Sequence, residues 1–143
     1  MKLLLIAALF LFTSSVEWSG NFSDAKQQAV ASHKMILVNF SGSDWCGPCI
    51  RLRKEILESE TFESYAKENL ILVRADFPRG KKNELPADQV KRNSALADQY
   101  NPDGNFPFTL LLDENGKLVK SWNGYPNEAP DAFVQQIKDA YTK

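Results

Sequence analysis

The sequence predicts an α/β domain in which a mixed four-stranded sheet lies between helices, with one extra helix ahead of the first strand. Three observations predict it. Met35-Ile36-Leu37-Val38-Asn39-Phe40 is a nearly unbroken apolar run of strand length, the pattern of a central strand buried on both faces. Short apolar runs then alternate with segments of helical periodicity, which argues for parallel pairing of strands one to three. Finally, Asp113-Glu114-Asn115-Gly116 between two apolar runs is a hairpin signal, which makes the last pair antiparallel.

The elements follow in order. A helix is expected from about Ser23 to His33, with Ser23 or Asp24 as cap and Ala25, Ala29 and Val30 on one face. Trp18 and Phe22 are apolar anchors before it. The first strand ends in Ser41-Gly42-Ser43-Asp44, which is turn chemistry. From Cys46 onward Ile50, Leu52, Ile56 and Leu57 recur at helical spacing, and Pro48 fits the first turn, where its missing N–H costs nothing. A short helix carrying Phe62, Tyr65 and Ala66 leads to a second strand, Leu70 to Ala75. Arg79 to Asp88 reads as a solvated loop, and a helix from about Pro86 to Tyr100 stops at Asn101-Pro102-Asp103-Gly104. Strand three is Phe108 to Leu112 and strand four Leu118 to Trp122. Pro130 opens a last helix with Phe133, Val134, Ile137 and Tyr141 facing inward.

Composition suits one globular domain. The chain has 143 residues, 43% hydrophobic and 24% charged, and its net charge of -1 gives no electrostatic reason to expect nucleic acid. Residues 1–15 differ in kind: Met1-Lys2 is a positive start, Leu3 to Phe12 is apolar, and Thr13-Ser14-Ser15 supplies small residues. This is the three-part pattern of a secretory signal peptide. The apolar run falls short of the roughly 20 residues a membrane span needs. Residues 16–143 are therefore expected to be an exported domain, periplasmic or secreted, a monomer without stable membrane insertion.

Both cysteines of the chain lie in Trp45-Cys46-Gly47-Pro48-Cys49. Export usually brings structural disulfides, but two cysteines this close cannot staple distant parts of a fold, so function is the better account of them. If a helix begins at Cys46, its unpaired N–H groups and dipole favour a thiolate there. Cys46 is then the nucleophile, and Cys49, one turn inside, resolves the mixed disulfide. With His33 as the sole histidine, remote in sequence, no four-ligand zinc set can be assembled. Holding Cu(I) between the two thiolates is an alternative, although Met1 and Met35 form no methionine cluster. A redox-inert interaction domain is another.

Trp45-Cys46-Gly47-Pro48-Cys49 after an apolar strand, with Phe106-Pro107 directly before strand three, resembles the thioredoxin family over roughly Trp18 to Tyr141. The string Asn39-Phe40-Ser41-Gly42-Ser43-Asp44-Trp45-Cys46 is similar to a branch of small exported bacterial members of that family. The resemblance implies a thioredoxin fold and a thiol–disulfide oxidoreductase whose only redox centre is Cys46–Cys49, with no metal or other cofactor. It implies a supporting site of Trp45, Gly47, Pro48 and Pro107, with Pro107 in cis. Phe106 and Trp45 would bind substrate, a protein or peptide disulfide, and a membrane-bound or exported donor would return electrons. Gly47-Pro48 resembles the reducing members and points to reduction or isomerisation. One departure stands out. Thioredoxins bury an aspartate beneath the disulfide; its place here is Asn39, which takes up no proton, and the lysine that accompanies it is expected to be replaced by an apolar residue near Leu72 or Val73. Deprotonation of Cys49 is then expected to rely on water or on an acid elsewhere, Asp44 being the nearest in sequence.

Overall fold

The computed structural model describes residues 15–142, so the expected signal segment lies, apart from Ser15, outside the described residues. The strands are β1 (Trp18–Ser19), β2 (Met35–Ser41), β3 (Leu70–Asp76), β4 (Phe108–Leu112) and β5 (Leu118–Asn123). The helices are α1 (Phe22–Ser32), α2 (Gly47–Leu52), α3 (Glu60–Asn69), α4 (Ala87–Tyr100) and α5 (Pro130–Tyr141). α2 runs on through a π turn over Arg53–Leu57, where Glu58 N–H bonds to the Arg53 carbonyl at 2.8 Å. A 3₁₀ turn spans Lys81–Asn83. This is the thioredoxin fold.

The sheet order is β1-β3-β2-β4-β5, with β2 central and buried throughout, as its apolar run predicts. Two expectations about the sheet need correction. It has five strands among the described residues rather than four, because Trp18–Ser19 pairs in parallel with Leu72–Val73. Two residues are too short to show a strand period. Strand three, β4, runs antiparallel to β2, with Phe40 opposite Phe108 and Ile36 opposite Leu112. Alternation implies parallel pairing only if the intervening helix carries the chain back along the sheet. Here the long connections flanking α4, residues 77–86 and 101–107, return it to the edge it left, the C-terminal end of β2. As a result β4 begins, directly after Pro107, at the end of the sheet where β2 hands the chain on to Cys46.

Local chemistry explains the ends of the elements. Asn21, not Ser23 or Asp24, caps α1, its Oδ1 accepting Ser23 N–H at 3.1 Å and Asp24 N–H at 3.3 Å. Ser59 Oγ caps α3 by accepting Phe62 N–H. At the hairpin, Gly116 alone takes a positive φ (86°), and Asp113 Oδ1 accepts from Asn115 N–H and Lys117 N–H. Gly116 N–H closes the turn on the Asp113 carbonyl at 3.0 Å, and the ladder beyond it slips by one residue at Leu111/Leu112.

The sheet separates two cores. On one face Leu37, Leu72 and Leu111 meet Leu52, Ile56, Phe62, Phe133 and Ile137 from α2, its π turn, α3 and α5. On the other, Ile36, Val38, Phe40, Val73, Ala75, Leu110 and Leu112 meet Ala25, Ala29 and Leu96 from α1 and α4. Val30 and Tyr141, expected to face inward, are exposed.

Candidate active site

β2 delivers the chain to the site through Gly42–Trp45. Here Gly42 serves close packing: a Cβ on it would stand 2.4 Å from the Trp45 indole. Its carbonyl accepts Cys46 N–H at 2.9 Å. Ser43 fixes the turn by donating N–H and hydroxyl to Asp76 at the end of β3. Cys46 then occupies the N-cap of α2, with Gly47 and Pro48 in the first turn.

Cys46 and Cys49 form a disulfide, with Cα atoms 5.2 Å apart. Both residues are nearly covered, at 5% and 3% exposure. Each sulfur faces a backbone donor: Cys49 N–H points at Cys46 Sγ (3.3 Å) and Gly42 N–H at Cys49 Sγ (3.5 Å). Such donors favour a thiolate over a thiol.

Phe106–Pro107 is a cis peptide. Pro107 is buried, and its carbonyl accepts Gly124 N–H at 2.8 Å. The loop before it is clamped by buried Asn101, which accepts Asn105 N–H and donates to the Asn105 carbonyl, both at 2.9 Å. Phe106 stands edge-on to Trp45 (5.6 Å) and to Phe77 (5.4 Å). Trp45 in turn donates its indole N–H to the Phe77 carbonyl at 2.8 Å, and Arg79 lies over its ring at 3.6 Å. Trp45, Phe77 and Phe106 are thus drawn from three parts of the chain into one aromatic cluster next to Cys46 in sequence.

Beneath the disulfide side of the sheet, buried Asn39 donates to Thr109 Oγ1 at 3.1 Å. The residue opposite Asn39 on β3 is Arg74, not an apolar one. That corrects the expectation placed on Leu72 or Val73, which the strand register moves by one or two positions. The Arg74 guanidinium lies over Trp18 at 4.2 Å, and burial, helped by the neighbouring Arg53, pushes its pKa down.

Asp44, the nearest acid in sequence, spends its carboxylate on the loop at 79–83. Its exposed carboxylate accepts Arg79 N–H (2.9 Å), Gly80 N–H (2.8 Å) and Asn83 Nδ2–H (2.9 Å). The Asn83 bond and these backbone bonds hold its pKa below the ordinary carboxylate value. It is an anchor for the 79–83 loop. The sequence alone does not point to Phe77, Asn101 or Thr109, and it marks Arg79 only as part of a basic, solvated stretch to Lys82 that could meet an acidic partner. Thr109 left a signal, the one hydroxyl in Phe108-Thr109-Leu110-Leu111-Leu112.

Among the described residues no three His, Cys, Asp or Glu side chains gather as metal ligands, and no helix is long and apolar enough to cross a membrane.

Comparison with known proteins agrees with this geometry. Residues 22–141 match the family described as a thioredoxin-like domain. The chain is 33% identical over 127 residues to the disulfide bond reductase DsbH of Chlamydia pneumoniae, covering 89% of this chain and 74% of that relative. It is 27% identical over 117 residues to the thioredoxin-related protein DsbJ of the same organism, where it spans only 32% of the relative's length. The solved structure of a DsbH oxidoreductase superposes with a TM-score of 0.80 at 32% identity, covering 89% of this chain and 85% of that one. A poplar thioredoxin h superposes with a TM-score of 0.62 at 19% identity, covering 91% and 99%.

Proposed function

The chain belongs to the thioredoxin-like family and is a thiol–disulfide oxidoreductase; from that premise we propose that it works outside the cytoplasm, in the reducing direction, with Cys46 as nucleophile and Cys49 as resolving thiol. The observation that carries the roles is the position of Cys46 at the N-cap of α2, its sulfur facing the Cys49 N–H. In the reduced protein that donor and the helix start favour the Cys46 thiolate.

The thiolate attacks one sulfur of a substrate disulfide, whose other sulfur leaves as a thiolate and takes up a proton. Cys49 then loses its proton and attacks Cys46 Sγ, releasing the second substrate thiol and closing Cys46–Cys49. Two electrons pass from the dithiol to the substrate, and an exported or membrane-bound dithiol donor restores them. Phe106 and Trp45 form the substrate-facing wall, Pro107 presents the backbone ahead of β4, and Gly47 and Pro48 shape the first turn of α2. With Asn39 beneath the site, water takes the Cys49 proton. The reducing direction is supported by the Gly47-Pro48 pair and by the likeness to a reductase. Export rests on the pattern of residues 1–15, and a monomer without nucleic-acid or metal partners completes the reading.

Reduction of insulin by the purified chain with a dithiol donor is the test. Cys46→Ser should lower the rate by about 10³-fold or more, and Cys49→Ser should trap a mixed disulfide. Equilibration with glutathione should place the pair nearer thioredoxin, at about -270 mV, than the strong oxidant at about -120 mV. A value near the latter sinks the direction. Cu(I) held against glutathione would instead support the copper-binding alternative.

A further inference from the structure

Arg79 has no part in the exchange chemistry, yet the fold places it with care. Asp44, two residues before Cys46, spends both carboxylate oxygens on the Arg79 and Gly80 N–H groups and on Asn83. The loop approaches so closely that a Cβ on Gly80 would stand 2.9 Å from Asp44 Oδ2. This pins Arg79 with its guanidinium 3.6 Å above the Trp45 ring centroid. Trp45 is itself locked by its bond to the Phe77 carbonyl and by its edge contact with Phe106. A guanidinium stacked on an aromatic face still turns its N–H fork outward, and the fork matches a carboxylate in geometry and charge. Among the described residues the Arg79 guanidinium makes neither an ion pair nor a side-chain hydrogen bond, unlike Arg51, Arg53 and Arg92. Lys81 and Lys82 follow on the same exposed loop, with Asp44 and Glu84 as the neighbouring acids.

We propose that Arg79, seated on Trp45, is a carboxylate receptor that selects disulfide substrates carrying an acidic residue next to the reacting cysteine, with Lys81 and Lys82 adding attraction at longer range. The inference rests on the oxidoreductase reading and names its substrate class: acidic peptide segments. Stacking orders the side chain before substrate arrives, so a bond to a carboxylate costs less conformational entropy than it would from a freely moving arginine. The benefit falls on binding and association, and salt weakens it.

The test uses three peptide disulfides that differ only in the residue beside the cysteine: Glu, Gln or Lys. For the native chain kcat/KM should fall in that order, with Glu exceeding Lys by about 3- to 10-fold, mainly through KM, and the ratio should shrink as salt is raised. Arg79→Glu should invert the order. Arg79→Lys should keep the sign and lose part of the ratio, because an ammonium is a point charge without a fork. Normalising to the Gln peptide removes any change in thiol reactivity. A Glu-to-Lys ratio near one in the native chain, or the same ratio in Arg79→Glu, overturns the inference. Failure to turn over even the Gln peptide would instead overturn the oxidoreductase reading itself.

Discussion

The two faces of the sheet are built differently. On the α1 and α4 face every inward position of β2 is apolar: Ile36, Val38 and Phe40, with Val73, Ala75, Leu110 and Leu112 beside them. On the face beneath α2 the same strand begins Met35, Leu37 and then turns polar at Asn39 and Ser41. Its neighbours follow suit at the same level, Arg74 and Asp76 on β3 and Thr109 on β4. One face holds the fold together along its whole length. The other does so only until it passes under the disulfide, where it exchanges apolar burial for hydrogen-bonding groups. Among the described residues the Asn39 side chain bonds to one other side chain, Thr109 Oγ1, while Asp76 accepts from Ser43 and Asn93. Stability and chemistry therefore share a strand but not a position on it.

The largest effect should come from the apolar face. Ile36 is fully buried opposite Leu112, and Ile36→Ala should cost about 2–5 kcal/mol from lost burial and the cavity left behind. Urea denaturation would register the loss, while insulin reduction by the folded protein should stay close to native. A comparable loss of specific activity would show that the two faces are not separable.

Asn39→Asp addresses the polar end with nearly the same volume. Burial disfavours the charged carboxylate, so its folded-state pKa should rise above the unfolded value of about 3.9. A raised carboxylate pKa means that stability is lost as pH climbs from the unfolded value toward the folded one. The variant should accordingly match the native chain most closely near pH 4 and fall about 1–3 kcal/mol behind it by pH 7. Urea midpoints at the two pH values check this, and an unchanged gap would mean that the site is wetter than its burial implies. Thr109→Val at the same level leaves Asn39 Nδ2 without its partner and should cost about 1–2 kcal/mol at all pH values.

How much of this was legible from the chain follows the same division. β2, the helix from the cysteines and the apolar face are written in periodicity, because burial alone dictates them. The site is legible where a local motif carries it, as at Trp45-Cys46-Gly47-Pro48-Cys49, and Phe106-Pro107 was found by resemblance alone. What stays hidden is set by register and by loop length. No local signal puts Arg74 rather than Val73 opposite Asn39, since one residue of slip exchanges the faces. The antiparallel course of β4 depends on where two irregular connections end, and the pairing of Asp44 with the 79–83 loop depends on the parallel register that ends β2 and β3 side by side. Asp44 reads as chemistry because it is near the cysteines in sequence; the structure spends it on holding a loop.

The smallest effect tests that last point, at the rim outside both faces. The donors around Asp44 hold its pKa below the ordinary carboxylate value, so the folded pKa is depressed. The ordering it gives the 79–83 loop is complete above the unfolded value of about 3.9 and is lost as pH falls through the folded one. Releasing the loop lifts Arg79 from the Trp45 ring, and indole fluorescence reports that contact. The native chain should show an acid transition in fluorescence below about pH 4, ahead of global unfolding. In Asp44→Asn the transition should vanish, because no carboxylate remains to titrate, and the neutral-pH signal should shift toward the acid one. Trp18 and Trp122 lie elsewhere, stacked on Phe62 and packed against Phe133, and supply a constant background. Superimposable curves for the two proteins would mean that Asp44 does not hold the loop, and the division between an anchoring rim and a reacting centre would have to be redrawn.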